Sequence, residues 1–170
     1  MYKWEKHQDP NNTYGAIFTY GNREKELPDT AVISVTRGEQ FNLIRILLNS
    51  IINAFVKKQL VKNDGLLYAE LSGQLDGGIG QTITIWKDRK SMNRFRTNGA
   101  HQAARRFFSW VFYSGKVKAY FYTWKANGGD IPSSTEVTKT AIKYGRYYEG
   151  GKLIRAAIPS EDHKGDDHDH

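Results

Sequence analysis

The stretch that decides the fold runs Ala31-Val32-Ile33-Ser34-Val35-Thr36-Arg37 and then, three residues on, from Phe41 through Leu43, Leu47 and Ile51 to Lys58. The first part is almost entirely β-branched and apolar, the composition of a strand buried on at least one face. The second repeats Leu43, Leu47, Leu48, Ile51 and Phe55 along one side and stacks Arg45, Asn49 and Asn53 at i+4 along another. That is the 3.6-residue period of an amphipathic helix. Working outward, 66–72 and 81–86 read as two strands joined by the glycine-rich 73–80, an antiparallel hairpin. A second helix opens at 90–97, Asn98-Gly99 breaks it, and 100–112 continues in a new direction. Residues 117–124 alternate as a fourth strand. The order is β-α-β-β-α-β, an α+β ferredoxin-like plan in which two helical layers back a four-stranded antiparallel sheet and leave its other face open.

The flanks differ from this centre. Residues 1–30 are polar and turn-rich with one strand-like run, 16–20, and read as an N-terminal extension draped over the core. The central unit spans 31–125. Residues 126–160 form a C-terminal extension, a helix capped at Ser133/Ser134 and Glu136 that runs to Tyr148, then a strand over 152–158. Residues 161–170 make a disordered acidic and histidine-rich tail. Charge follows the same division. The first 30 residues carry 4 basic and 5 acidic side chains, 31–125 carry 15 and 5, and 126–170 carry 6 and 8. The net charge of +7 is thus a basic folded unit between two mildly acidic extensions. No apolar leader is expected in Met1–Asp9, and no membrane span in 43–56, which polar residues interrupt. A cytoplasmic protein is expected.

With 170 residues and no cysteine, the chain has room for one full core. Thiolate nucleophiles, iron–sulfur clusters and cysteine-based zinc sites are excluded. The 73–80 glycines join two strands and lack a following Lys-Ser/Thr, which argues against a phosphate loop. The tail has metal-binding residue types but nothing to fix their geometry. RNA binding in the manner of proteins with this strand order needs aromatics on the first strand, and there are none. Nucleic acid is therefore not an expected partner.

Period-2 alternation divides the sheet into two faces. With Ile33, Val35, Leu67, Ala69, Leu71, Ile83, Ile85, Val117, Ala119 and Phe121 assigned to the helices, the open face carries Ser34, Thr36, Leu66, Tyr68, Glu70, Thr82, Thr84, Trp86, Lys118, Tyr120, Tyr122 and Trp124. So many large aromatics need a cover. Two covers remain open: a seam with a partner or extension, and a ligand chamber.

The runs Ile33–Arg37 and Ile83–His101, the latter with Trp86, Asp88, Met92, Phe95 and Gly99-Ala100-His101, resemble a bacterial family of uncharacterised proteins, the DUF3291 type. That family is similar in turn to the antibiotic-biosynthesis-monooxygenase and haem-degrading-monooxygenase superfamily. The resemblance covers about residues 31–125. It implies a dimeric α+β barrel, a homodimer packed through its open sheet faces, with a pocket between sheet and helices in each subunit. It also implies a monooxygenase-like oxidoreductase that accepts a hydrophobic or aromatic small molecule, haem among the candidates. In that reading His101 and Trp86 are the catalytic candidates, with His101 the metal ligand if haem binds. Ser34, Thr36, Tyr68, Glu70, Thr84, Phe95, Phe108, Tyr120 and Tyr122 are the ligand-binding candidates. The haem-degrading relatives carry an Asn on the first strand and a Trp in the second helix, where this chain has Ser34 or Thr36 and Phe95.

Each candidate also has a plainer reading. His101 borders a helix's buried face and could simply pack there, Trp86 could anchor the sheet edge, and the tyrosines could fill a seam. Glu70 could act as a base or pair with Lys118. Arg94, Arg96, Arg105 and Arg106 look solvated, though each could meet ligand carboxylates. The alternative function is a non-catalytic binding or structural subunit that uses the aromatic sheet face as a protein interface.

Overall fold

The computed structural model describes residues 2–10 and 15–159, except for the side chains of 99, 100, 104, 105, 107 and 108. The ferredoxin-like centre is β3 (Val32–Glu39), α1 (Leu43–Leu60), β4 (Leu66–Gln74), β5 (Ile79–Trp86), α2 (Arg89–Thr97), α3 (Gly99–Tyr113) and β6 (Lys118–Lys125). Ahead of it lie β1 (Glu5–Gln8) and β2 (Ala16–Gly21), and after it α4 (Ser134–Tyr144), β7 (Arg146–Glu149) and β8 (Lys152–Arg155). All eight strands form one antiparallel sheet in the order β1-β2-β4-β5-β3-β6-β7-β8. The flanking segments thus continue the sheet at both edges. The N-terminal strands do not drape over the core: β2 pairs along β4 from Ala16↔Gly73 to Gly21↔Tyr68.

Local chemistry sets the helix limits. Asn42 caps α1 by accepting from the Arg45 N–H at 3.0 Å, and Asp88 caps α2 by accepting from Ser91 N–H at 2.7 Å. Asn98 closes α2, so α3 starts in a new direction at Gly99. The β4–β5 turn clamps the β3–α1 connection, with Gln40 and Phe41 N–H donating to the carbonyls of Gly77 and Gly78, both at 2.9 Å. Gly78 has φ +56°, and a Cβ there would lie 2.1 Å from the Phe41 carbonyl oxygen. Only glycine suits both the dihedral and the approach.

The sheet has two covered faces, and register shows which residues share each. Ile33 lies opposite Ile85 and Trp124, and Val35 opposite Ile83 and Tyr122. These six make one core with Tyr68 and with Val137 and Ala141 of α4. Opposite them in the alternation, Ser34 pairs with Thr84 and Thr123, and Thr36 with Thr82 and Phe121. That hydroxyl row faces α1–α3. The sequence-based assignment is therefore inverted on β3 and β5. Ile33, Val35, Ile83 and Ile85 point away from α1–α3, while Ser34, Thr36, Thr82, Thr84 and Trp86 point toward them. On β6 it holds, and on β4 a bulge between Leu66 and Tyr68 turns Leu66 to the helices and Leu67 to the other core. The physical reason is that α4 buries the second face, so the columns of Ile33 and Val35 serve that side.

α4 is fixed to the sheet by polar as well as apolar contacts. The Ser134 hydroxyl donates to the Glu70 carboxyl at 2.6 Å, and Gln81 and Thr138 exchange hydrogen bonds at 2.8 and 3.1 Å. Its first turn carries a full capping box between Ser133 and Glu136. This helix lies on the face where two sheets of a barrel dimer were expected to meet.

α1 is turned only in part as expected. Asn49 is buried and Asn53 faces inward, whereas Leu43, Ile44, Leu47, Ile51 and Phe55 are 53–67% exposed. Its periodicity is as expected, but Asn49 and Asn53 turn to the interior together with Ile46, Leu48, Ile52 and Val56. Arg45 leaves the helix to donate to the Trp110 and Val111 carbonyls and the Ser114 hydroxyl, at 2.8, 2.9 and 2.9 Å.

Candidate functional site

A cavity of about 770 Å³ lies between the hydroxyl row of the sheet and helices α1, α2 and α3. Sites for small molecules commonly fall in this range, roughly 300–1,000 Å³. Its floor is Ser34, Thr36, Thr82, Thr84 and Thr123. The Ser34 and Thr123 hydroxyls are hydrogen-bonded at 3.0 Å, and the Trp86 indole N–H donates to the Thr84 hydroxyl at 3.0 Å. Strand pairing thus holds five hydroxyls in a fixed array across three adjacent strands.

A ladder of rings closes one side. Trp86, fully buried at the end of β5, packs on Phe95 of α2 with centroids 5.1 Å apart, and Phe95 packs on the His101 ring of α3 at 4.6 Å. Met92, Leu60 and Val56 extend this apolar wall. Asn49 and Asn53 from α1 and Gln102 and Ser109 from α3 add neutral polar groups to the lining. Arg89 and Arg96 of α2, Arg106 of α3 and Arg146 of β7 also line the space. One chamber therefore offers ring surfaces, neutral hydrogen-bonding groups and cationic groups.

Of the candidates named from sequence, Ser34, Thr36, Thr84, Trp86, Phe95 and His101 come together around this cavity. Tyr122 touches it too, although its ring stacks on Trp124 at 5.1 Å within the α4-side core. The Phe108 side chain lies outside the described residues, as do the histidines and acids of the tail. Tyr68, Glu70 and Tyr120 sit on the opposite sheet face, because α4 rather than α1–α3 covers their side. There Glu70 does not pair with Lys118. It accepts from Tyr68 at 3.2 Å and from Ser134, and Lys118 lies opposite Glu149 in the register. Burial, then the Glu70 carboxyl, pushes the Tyr68 phenol up to about 12. Tyr120 stacks on Tyr147 at 4.7 Å.

Sequence reading missed Asn49, Asn53, Thr82, Thr123, Arg89 and Arg146 as lining residues. A signal existed for the two amides: α1 contains no acidic residue, and between Arg45 and Lys57 its polar stripe consists of amides one turn apart, unlike a charged solvent face. Among the described residues no group of three His, Cys, Asp or Glu side chains could hold a metal ion. No helix there is long and apolar enough to cross a membrane.

The fold is of the ferredoxin-like α+β class. No family model matches the chain, and no curated protein matches it. Solved structures similar to it include SnoaB, a cofactor-independent oxygenase from Streptomyces nogalater, at 13% identity, with 61% of this chain and 99% of that chain covered and a TM-score of 0.45. Another is LmHde, a heme-degrading enzyme from Listeria monocytogenes, at 8% identity, with 62% and 60% covered and a TM-score of 0.42. A third is the Rv0793 protein of Mycobacterium tuberculosis, at 12% identity, with 61% and 98% covered and a TM-score of 0.46. At these identities and scores the likenesses carry nothing about activity.

Proposed function

We propose that this protein binds a flat hydrophobic or aromatic small molecule between its sheet and α1–α3 and is a monooxygenase-like protein of the DUF3291 type. The observation that supports this reading is the cavity itself, with the Trp86–Phe95–His101 ring ladder on one wall and five hydroxyls on the floor. A planar ligand would lie against the rings and direct its polar atoms to Ser34, Thr36 and Thr84, while Trp86 and His101 stand closest to any chemistry done on it. The interface alternative has less support, because α4 occupies the middle of the aromatic face it would use.

Haem is one ligand this reading includes. The donor set suits it to the extent that a single imidazole, with no thiolate or carboxylate among the described lining residues, can serve as one axial ligand. His101 would hold the iron, and the arginines would meet the propionates. Bound there, haem would supply iron for oxygen chemistry. The test is a haemin titration of the purified protein. A Soret shift that His101→Ala abolishes supports the haem form, and no shift removes it. An apolar ligand screen read by tryptophan fluorescence then tests the wider reading, which fails if Thr84→Phe, filling the cavity, changes no binding.

A cytoplasmic homodimer belongs to the same proposal. Its seam would be α1, whose outward Ile44, Leu47, Ile51 and Ala54 recur at spacings of three and four, the pattern of a helix that pairs with a second copy of itself.

A further inference from the structure

We infer that the cavity selects anionic ligands, an apolar ring system bearing a carboxylate or similar oxyanion, over neutral and cationic analogues of the same shape. This rests on the reading of the cavity as a ligand site and adds the charge of what it takes. The chain contains 18 acidic residues, yet none lines the cavity among the described residues. Four guanidinium groups and one imidazole do. They arrive from separate elements, Arg89 and Arg96 from α2, His101 and Arg106 from α3 and Arg146 from β7, so the accumulation is not one solvated helix face turned by chance toward the interior.

Whatever else each guanidinium touches, their potentials add within a concave, low-dielectric space, which concentrates positive field where a ligand would sit. The other polar lining groups are hydroxyls and amides, which carry no charge to offset that field. Three other arginines hold the fold away from the cavity. Arg45 ties α1 to the end of α3, Arg155 donates to the Ile142 and Gly145 carbonyls at the end of α4, and Arg37 donates to Glu39 and Gln81. None of these three lines the cavity. Guanidinium groups also match carboxylate geometry through paired N–H donors, which favours a planar oxyanion over a spherical ion. The apolar wall of Trp86, Phe95 and Met92 would take the ligand's body, and the arginines its charged end.

Three matched probes test this: pyrenecarboxylate, its neutral amide and pyrenemethylammonium, titrated calorimetrically into the full chain at low and high salt. The carboxylate is expected to bind at least about ten-fold more tightly than the amide, and the cation most weakly. Arg96→Gln with Arg146→Gln should lower carboxylate affinity far more than amide affinity and so remove the carboxylate's advantage, and high salt should shrink the gap. Arg106→Gln, at an exposed position, provides a variant with little risk to folding. Equal affinities for the three probes, or a preference for the cation, would overturn the anion selectivity while leaving the ligand site standing. Failure of every probe to bind, or binding that survives Thr84→Phe, would remove the site itself.

Discussion

The Trp86 indole donates its N–H to the hydroxyl of Thr84 two residues earlier on the same strand, at 3.0 Å, so the largest fully buried side chain is tied to the cavity floor. Wall and floor are therefore one unit. Trp86→Phe keeps most of the ring volume but loses the donor and should cost about 1 kcal/mol. Trp86→Ala should cost about 3–5 kcal/mol, because it also opens a void beside Met92 and Phe95. Urea denaturation followed by circular dichroism separates the two.

The cap on α4 predicts an acid-limb effect. The Ser133 backbone N–H, then its hydroxyl, holds the Glu136 carboxyl below its ordinary value of 4.5. A carboxyl depressed in the folded state stabilises above that ordinary value, and the contribution is lost as pH falls through the folded value. Ser133→Ala should cost about 1 kcal/mol near neutrality. Its stability should also fall less steeply than the parent's below pH 4.5, as read by denaturation midpoints across an acid series.

Tyr68 predicts the opposite limb. Its phenol is raised from 10.0 to about 12 by burial and by Glu70, so the folded protein favours the protonated ring. The stabilisation is complete below pH 10 and is lost as pH rises through about 12. Tyr68→Phe should flatten that alkaline decline, and tyrosinate absorbance should show one fewer late-titrating ring.

Gly78 and Gly129 separate backbone strain from collision. Both have positive φ, +56° and +77°, but a Cβ at Gly78 meets the Phe41 carbonyl oxygen, whereas one at Gly129 meets nothing within 4 Å. Gly129→Ala should cost about 1–2 kcal/mol, the strain alone. Gly78→Ala should exceed it clearly, because the β3–α1 connection must shift.

The outward face of α1 makes a prediction about assembly. Ile51 is 53% exposed, so Ile51→Lys should leave the chain's thermal stability at low concentration nearly unchanged. Sedimentation should show the parent as a dimer and this variant as a monomer. A monomeric parent would remove the α1 seam.

The centre of the fold was legible because its signals are local. The β-branched run at 31–37, the heptad-like spacing of α1 and the Asn98-Gly99 break each encode an element without reference to the rest. The direction in which each face points is not local. Ile33-Ser34-Val35-Thr36 displays its alternation openly, but the preference for sending Ile33 and Val35 away from α1 arises only once α4, a hundred residues later, brings Val137 and Ala141 against them. Asn49 and Asn53 turn inward for a different reason, because they border the cavity above the hydroxyl row. Trp86, Phe95 and His101 were identifiable as a group, whereas Tyr68 and Glu70 were grouped with them because the alternation of β3 and β5 was set in the opposite phase, which put Ser34, Thr84 and Trp86 on the face that Tyr68 and Glu70 occupy.

A sheet buried on both faces by layers of different character allows the two to change independently. The apolar columns facing α4, with Ser134 and Thr138 as fasteners, can maintain the fold while Thr82, Thr84, Asn49 or Arg146 is exchanged. A chain built this way can drift from one ligand to another without first becoming unstable. Its specificity is therefore expected to diverge faster than its architecture.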